Sequence, residues 1–401
     1  MAEMLASAAR VSNVAVTIGL CFAVAVLEGF DIQAMGVAAP RLGPEFGLSP
    51  GQMGWLFSIS NIGLVIGATF GGWLADRVGR KPVFIGSVVT FGLFTFATSQ
   101  APDYPLLFIA RLFTGLGFGA ALPNMMAVAA EISTPAKRAS TAAAIFCGMP
   151  LGGGLSALVT QVLPPEGDWR VLFMIGGGLP LLLAPALYVL MPETMQRTAR
   201  SSAPRPNVAA ALFAEGRATP TLLLWLTFFP TLLILYLILN WLPTLVVANG
   251  LERAVAPQAS LAFNFASVVG ALILGRLVDR LGTRWPLVTA YAALIVALLA
   301  LSRSTQLESI LFWSAAAGLV LMGANYSLYG VAASYYSQDI RGTGSGASVA
   351  VGRVGSVVGP MLAGVLLGAG ATATVVMQLM APVAALAAAA VFALSFHPRR
   401  E

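Results

Sequence analysis

Twelve apolar runs, each close to the roughly 20 residues that a helix needs to cross a bilayer core, dominate this chain. They fall at about 14–39, 52–74, 82–100, 104–130, 139–163, 169–191, 220–248, 257–278, 285–302, 308–335, 343–369 and 372–396. Of the 401 residues, 58% are hydrophobic and 9% charged, whereas a soluble domain carries about a quarter charged residues. Such a chain has too little polar surface for water, so its solvent is lipid. One long polar stretch, 192–219, carries Arg197, Arg200, Arg205 and Arg217 with Pro204, Pro206 and Ser201. The expected organisation is an all-α integral membrane protein of twelve transmembrane helices. A six-helix bundle over 1–191 and another over 220–401 flank a cytoplasmic linker at 192–219.

The net charge of +6 does not point to nucleic acid, because the basic residues sit in short clusters between apolar runs and form no basic stripe. They act as a topology signal. With the N-terminus inside, sixteen lysines and arginines fall on cytoplasmic segments, against Arg41, Arg170, Arg253 and Arg303 outside. Both termini are therefore expected in the cytoplasm, and the first run is too long for a removable signal peptide. Cys21 and Cys147 both lie inside apolar runs, which offers neither a disulfide framework nor a metal spacing. The single histidine, His397, is in the C-terminal tail, so no buried histidine can relay protons. Neither a cofactor nor a metal is expected.

The two halves repeat each other. Gly72-Trp73-Leu74-Ala75-Asp76-Arg77-Val78-Gly79 follows the second run, and Gly275-Arg276-Leu277-Val278-Asp279-Arg280-Leu281-Gly282 follows the eighth. Two copies of G-x-L-x-D-R-x-G at matching places mark an internal repeat. Transporters use such repeats to build a site between two bundles that rock about it.

The segment Gly72 to Lys81 resembles the loop signature of the major facilitator superfamily, and Arg111 to Gly119 (R-L-F-T-G-L-G-F-G) resembles its fourth-span signature. A narrower resemblance, to the aromatic acid:proton symporters, lies in several segments. These are Glu28-Gly29-Phe30-Asp31-Ile32-Gln33, Ala121-Leu122-Pro123-Asn124, Asn240-Trp241-Leu242-Pro243, and Gln338 to Gly344 running on to Arg353. Within that family the chain is most similar to bacterial carriers of hydroxylated phenylpropionates. Benzoate-type relatives carry Asp-Gly-x-Asp in the first span, and here Glu28 replaces the first aspartate. The resemblance implies the major facilitator fold in a bacterial inner membrane. It also implies import of an aromatic carboxylate such as 3-(3-hydroxyphenyl)propionate together with protons, by a carrier that works as a monomer. An inner gate of Asp76, Arg80, Glu131 and Arg138, with Asp279 and Arg341 in the second half, follows from the same resemblance.

Four charges lie inside the apolar runs: Glu28, Asp31, Arg111 and Arg353. Each costs about 2.5–3.5 kcal/mol at mid-bilayer on insertion scales, so they are expected to face the bundle interior and to pair. At about 1.5 Å rise per residue, Asp31 and Arg111 lie at similar depth, as do Glu28 and Arg353. Glu28 and Asp31, three residues apart, share one helix face. A second carboxylate one turn away and desolvation favour the protonated form, while Arg111 opposes it. The Glu28/Asp31 pair is the expected proton carrier, with Arg111 coupled to it; a static ion-pair network is the plainer alternative. Arg353 suits a substrate carboxylate, because a guanidinium stays charged and grips a carboxylate with two donors. Its alternative is a permanent partnership with Glu28. Tyr236, Asn240 and Trp241 in the seventh span, Tyr326 and Tyr329 in the tenth, and Asn124 in the fourth are candidates to hold an aromatic ring and its hydroxyl.

Other readings are weaker. Gly148 to Gly154 in the fifth span only partly resembles the antiporter motif and reads as close helix packing through small residues. An enzyme would need a metal or Ser/His constellation that the spans do not contain. A receptor gives the doubled loop motif no purpose. A sugar carrier would carry many neutral polar groups and no buried arginine, and a drug antiporter would carry the complete fifth-span motif.

Overall fold

The computed structural model describes residues 2–134, 138–163, 167–193, 208–338 and 340–398, with the side chains of 2–13 and 138–140 outside the description. The described residues form fourteen helices and no strand. In chain order they are α1 (Ala2–Glu45), α2 (Pro50–Val78), α3 (Arg80–Ser99), α4 (Tyr104–Ile132), α5 (Arg138–Phe146), α6 (Gly148–Val162) and α7 (Arg170–Leu190). There follow α8 (Val208–Phe213), α9 (Ala218–Ala248), α10 (Ala256–Leu281), α11 (Arg284–Arg303), α12 (Leu307–Ala333), α13 (Arg341–Gly368) and α14 (Ala373–Leu394). Twelve segments are long and apolar enough to span a membrane, and each coincides with one of the twelve apolar runs.

Helix ends differ from run ends where the hydrogen-bonded length exceeds the lipid-facing length. The first run stops at Ala39, yet α1 continues to Glu45. The fifth run divides into α5 and α6 at Cys147. Pro150 explains the break: it has no N–H to donate, and its ring conflicts with the carbonyl four residues back, on Phe146, where α5 ends. The polar stretch also contains structure. Residues 194–207 lie outside the described ones, but 208–213 form α8. Arg217 closes the end of α8, donating from Nε to the Ala211 carbonyl at 2.8 Å and from a terminal nitrogen to the Ala210 carbonyl at 3.1 Å. Thr221 reaches back to the Leu212 carbonyl at 2.8 Å and lies 2.9 Å from the Tyr336 hydroxyl. A charge that reads as topology in the sequence thus also fixes a helix end.

The chain forms two compact units. Unit 1 comprises Met1–Leu42 and Ile59–Ala199; unit 2 comprises Gly43–Ser58 and Arg200–Glu401. Lipid tails give helices no hydrophobic reason to associate with one another, so close backbone packing must hold them. Glycine supplies it in both units. In unit 1, a Cβ added at Gly115 or Gly119 of α4 would strike the carbonyl oxygens of Ser60 or Leu64 in α2, and one at Gly152 of α6 would strike that of Val26 in α1. In unit 2, one at Gly318 of α12 would strike the Phe263 carbonyl in α10, and one at Gly359 of α13 that of Leu233 in α9. The second span therefore packs on the fourth as the eighth does on the tenth, and the first on the fifth as the seventh does on the eleventh. The internal repeat is a repeat of contacts as well as of sequence.

Both copies of the loop motif end on a glycine with positive φ, 106° at Gly79 and 79° at Gly282. Residues with a Cβ rarely occupy this region, which accounts for the closing glycine of each copy. One helix stops there and the next begins within two residues.

Gly119→Leu should force α4 off α2 at a cost of about 1–3 kcal/mol or more, lowering the unfolding temperature and the yield of monodisperse protein in detergent. Gly178→Leu, at a position where an added Cβ meets nothing within 4 Å, should leave both unchanged.

Candidate functional site

Unit 1 holds a buried charged cluster assembled from five helices. Asp31 of α1 and Arg111 of α4 are 0% and 1% exposed. One terminal nitrogen of Arg111 lies 2.8 Å from Asp31 Oδ2 and 3.0 Å from Oδ1. The Thr95 hydroxyl of α3 donates to Asp31 Oδ1 at 2.8 Å, and Arg111 Nε donates to the Ser60 hydroxyl of α2 at 3.1 Å. The Phe173 ring of α7 lies 5.7 Å from the guanidinium. The pairing expected from depth is present, and two hydroxyls that the sequence did not single out complete it. Glu28, one turn earlier on α1, is also fully buried.

Unit 2 holds a second cluster. Arg353 of α13 donates to the Tyr236 hydroxyl of α9 at 2.7 Å. Tyr329 of α12 lies within electrostatic reach of both, and its ring meets Phe228 of α9 edge-on at 5.7 Å. Tyr326 is half-buried on the same helix. Asn240 is buried and gives its amide N–H to the Tyr236 carbonyl at 2.7 Å; in unit 1, Asn124 does the same to the Ala120 carbonyl at 2.8 Å. Trp241 is placed differently. Its indole N–H donates to the Pro360 carbonyl of α13 at 2.9 Å, and its ring packs edge-on against Phe57 at 5.1 Å. Trp241 therefore clamps α9 to α13 and presents no free face for an aromatic substrate. Glu28 and Arg353, matched by depth in the sequence, belong to different units.

The expected gate residues are only partly brought together. Arg80 and Glu131 form an ion pair inside unit 1, with both side chains partly exposed, where such pairs contribute little. Asp76 and Asp279 are exposed and form no ion pair among the described residues. Arg341 reaches the Tyr336 carbonyl at 3.4 Å. The side chain of Arg138 lies outside the described residues. Among those residues, no group of histidine, cysteine or carboxylate side chains is arranged to hold a metal ion.

The sequence profile of the Major Facilitator Superfamily matches residues 21–263 and 250–401. The chain belongs to that superfamily. This facilitator is 42% identical over 383 residues to the 3-(3-hydroxy-phenyl)propionate transporter of Escherichia coli, covering 96% of this chain and 94% of that one. It is 34% identical to the gallate transporter of Pseudomonas putida and 32% identical to a 4-hydroxybenzoate transporter of Pseudomonas aeruginosa, each match covering 93% of this chain and 90% of the relative. Among solved structures, a bacterial homologue of the human lysosomal transporter Spinster superposes with a TM-score of 0.81 at 17% identity, covering 96% of this chain and 97% of that one. A D-xylose–proton symporter superposes at 0.77 and 18%, covering 96% and 98%. These two likenesses concern the fold alone. The facilitator is a multi-pass transporter of the bacterial inner membrane.

Removing one partner of a buried ion pair leaves an uncompensated charge and costs about 3–5 kcal/mol. Arg111→Gln should therefore destabilise the facilitator in detergent, and adding Asp31→Asn to it should recover most of the loss. Thermal unfolding of the single and double variants measures this. Equal losses in the two would mean that the pair is not the source.

Proposed function

We propose that this facilitator is a proton-coupled symporter that imports an aromatic carboxylate, with 3-(3-hydroxyphenyl)propionate or a related hydroxylated phenylpropionate as substrate. It performs transport by alternating access and no catalysis. The observation that carries the reading is the division of buried charge: a carboxylate–guanidinium cluster at Asp31 and Arg111 in unit 1, and a guanidinium–phenol cluster at Arg353 and Tyr236 in unit 2. The names of the relatives support the substrate class.

In this reading each cluster has one task. Asp31 takes the proton, with Glu28 one turn away sharing the duty. A proton on Asp31 removes the charge that Arg111 and Thr95 hold, so binding and release of the proton change the packing of α1 against α3 and α4. Arg353 receives the substrate carboxylate. A guanidinium presents its donors as a planar fork that matches a carboxylate, and Arg353 presents it beside its phenol partner Tyr236. Tyr326 and Tyr329 supply aromatic wall and Asn240 an amide, and Asn124 is the candidate amide of unit 1. The gate role goes to Arg80 and Glu131 with Asp76 and Arg138, and in the second half to Asp279 and Arg341, their pairs breaking and remaking as the two bundles alternate.

Two variants test the assignment in proteoliposomes with an imposed proton gradient. Asp31→Asn should abolish accumulation of the aromatic acid; accumulation that survives with its pH dependence intact would remove Asp31 from the proton path. Arg353→Lys keeps the charge and loses the planar fork, so half-saturation should rise at least about tenfold, the equivalent of about 1.4 kcal/mol. Unchanged half-saturation would assign Arg353 to structure.

A further inference from the structure

Five buried asparagines lie within the described helices of the two units at 1–6% exposure: Asn61, Asn124, Asn240, Asn264 and Asn325. Three of them close on their own helix. Asn124, Asn240 and Asn264 donate to the carbonyls of Ala120, Tyr236 and Ser260, four residues back, at 2.7–2.8 Å. Asn325 of α12 makes no such bond. Its Oδ1 is fully shielded and has no hydrogen-bond partner among the described residues. A buried amide left in this way is costly, and a polar group that breaks the habit of its neighbours points to a partner outside the chain.

The register of α12 places this amide in the cluster already described. Tyr329 lies one turn from Asn325 on the same helix face, beside Phe228 of α9 and within electrostatic reach of Arg353 and Tyr236. Helices α9 and α12, the seventh and tenth spans, are an odd number of crossings apart and run antiparallel. From the Phe228–Tyr329 contact, one turn of α12 toward its start brings Asn325 level with Leu232, one turn short of Tyr236. Asn325 and the Tyr236 backbone are then about 6 Å apart in height. A hydroxyphenyl ring is about that long. An acid whose carboxylate sits on Arg353 beside the Tyr236 phenol can thus direct the far edge of its ring at Asn325.

We infer that Asn325 is a specificity-determining residue that binds the ring hydroxyl of the aromatic acid; the inference rests on the substrate reading above. The chemistry matches at both atoms. A phenol both donates and accepts, so it satisfies a carboxamide whichever way the amide is turned. An acid without the hydroxyl would leave the amide buried and unpaired, which is how a polar site rejects an apolar analogue.

The test is uptake of 3-(3-hydroxyphenyl)propionate and of unsubstituted 3-phenylpropionate into proteoliposomes. The wild-type protein should favour the hydroxylated acid by about tenfold, the worth of one well-made hydrogen bond. Asn325→Leu, similar in size and unable to hydrogen-bond, should reduce that preference to about twofold or less while uptake of the unsubstituted acid persists. Where the leucine variant does not assemble, Asn325→Ala should give the same collapse. An intact preference in the variant, or an equal loss for both acids, would overturn the inference and leave Asn325 a packing residue. Failure of the wild-type protein to take up either acid has a different signature: the substrate reading itself then falls, and this inference with it.

Discussion

An arginine keeps its charge inside a bilayer only where the protein replaces the water it has lost. Arg111 meets that condition at 1% exposure, with Asp31 on one side, Ser60 on another and the Phe173 ring nearby. This arrangement draws in α1, α2, α3, α4 and α7, so the first four spans and the sixth share one polar centre. Breaking it would strand a charge in lipid, and the surrounding helices are therefore held in register by an electrostatic demand. The same demand makes the centre a credible switch. Adding a proton to Asp31 removes one side of the pair, and every helix that converges there is affected.

Glycine makes such convergence possible. Gly115 and Gly119 bring α4 against the backbone of α2, and Gly152 brings α6 against α1. Gly318 and Gly359 perform the matching tasks in unit 2. Each contact sits where a side chain would push two helices apart, so the polar groups beyond it can reach across. The resemblance of the two units extends from a loop motif to backbone contacts, while their polar contents differ. Unit 1 carries a carboxylate cluster and unit 2 an arginine with phenols. A common frame with divergent polar interiors suits a carrier that handles two different ions.

The legible parts of this molecule are those that lipid enforces. Hydropathy reads the spans because an apolar stretch of that length has one use, but it does not read helix ends, as the continuation of α1 to Glu45 illustrates. The Asp31–Arg111 pair is legible from depth alone, since two lone charges at one level of a membrane must meet. Thr95 and Ser60 are not, because a hydroxyl on a membrane helix commonly bonds its own backbone, as Ser87 and Thr231 do here. Trp241 shows the opposite failure. An indole beside a polar residue reads as a stacking wall, yet the Pro360 carbonyl has claimed its N–H. Asn325 is invisible in the sequence for a related reason: only the bond it does not make distinguishes it from Asn240 and Asn264.

The central claim is that the aromatic acid and the proton cross together, and it can be read directly from the proton. In de-energised proteoliposomes, with a pH-sensitive dye outside and no imposed gradient, adding a hydroxylated phenylpropionate should alkalinise the exterior as the acid carries protons inward. The Asp31→Asn variant should give no such change. Uptake of the acid by the wild-type protein with no movement of protons would contradict the account and leave a uniporter or an exchanger built on the same frame.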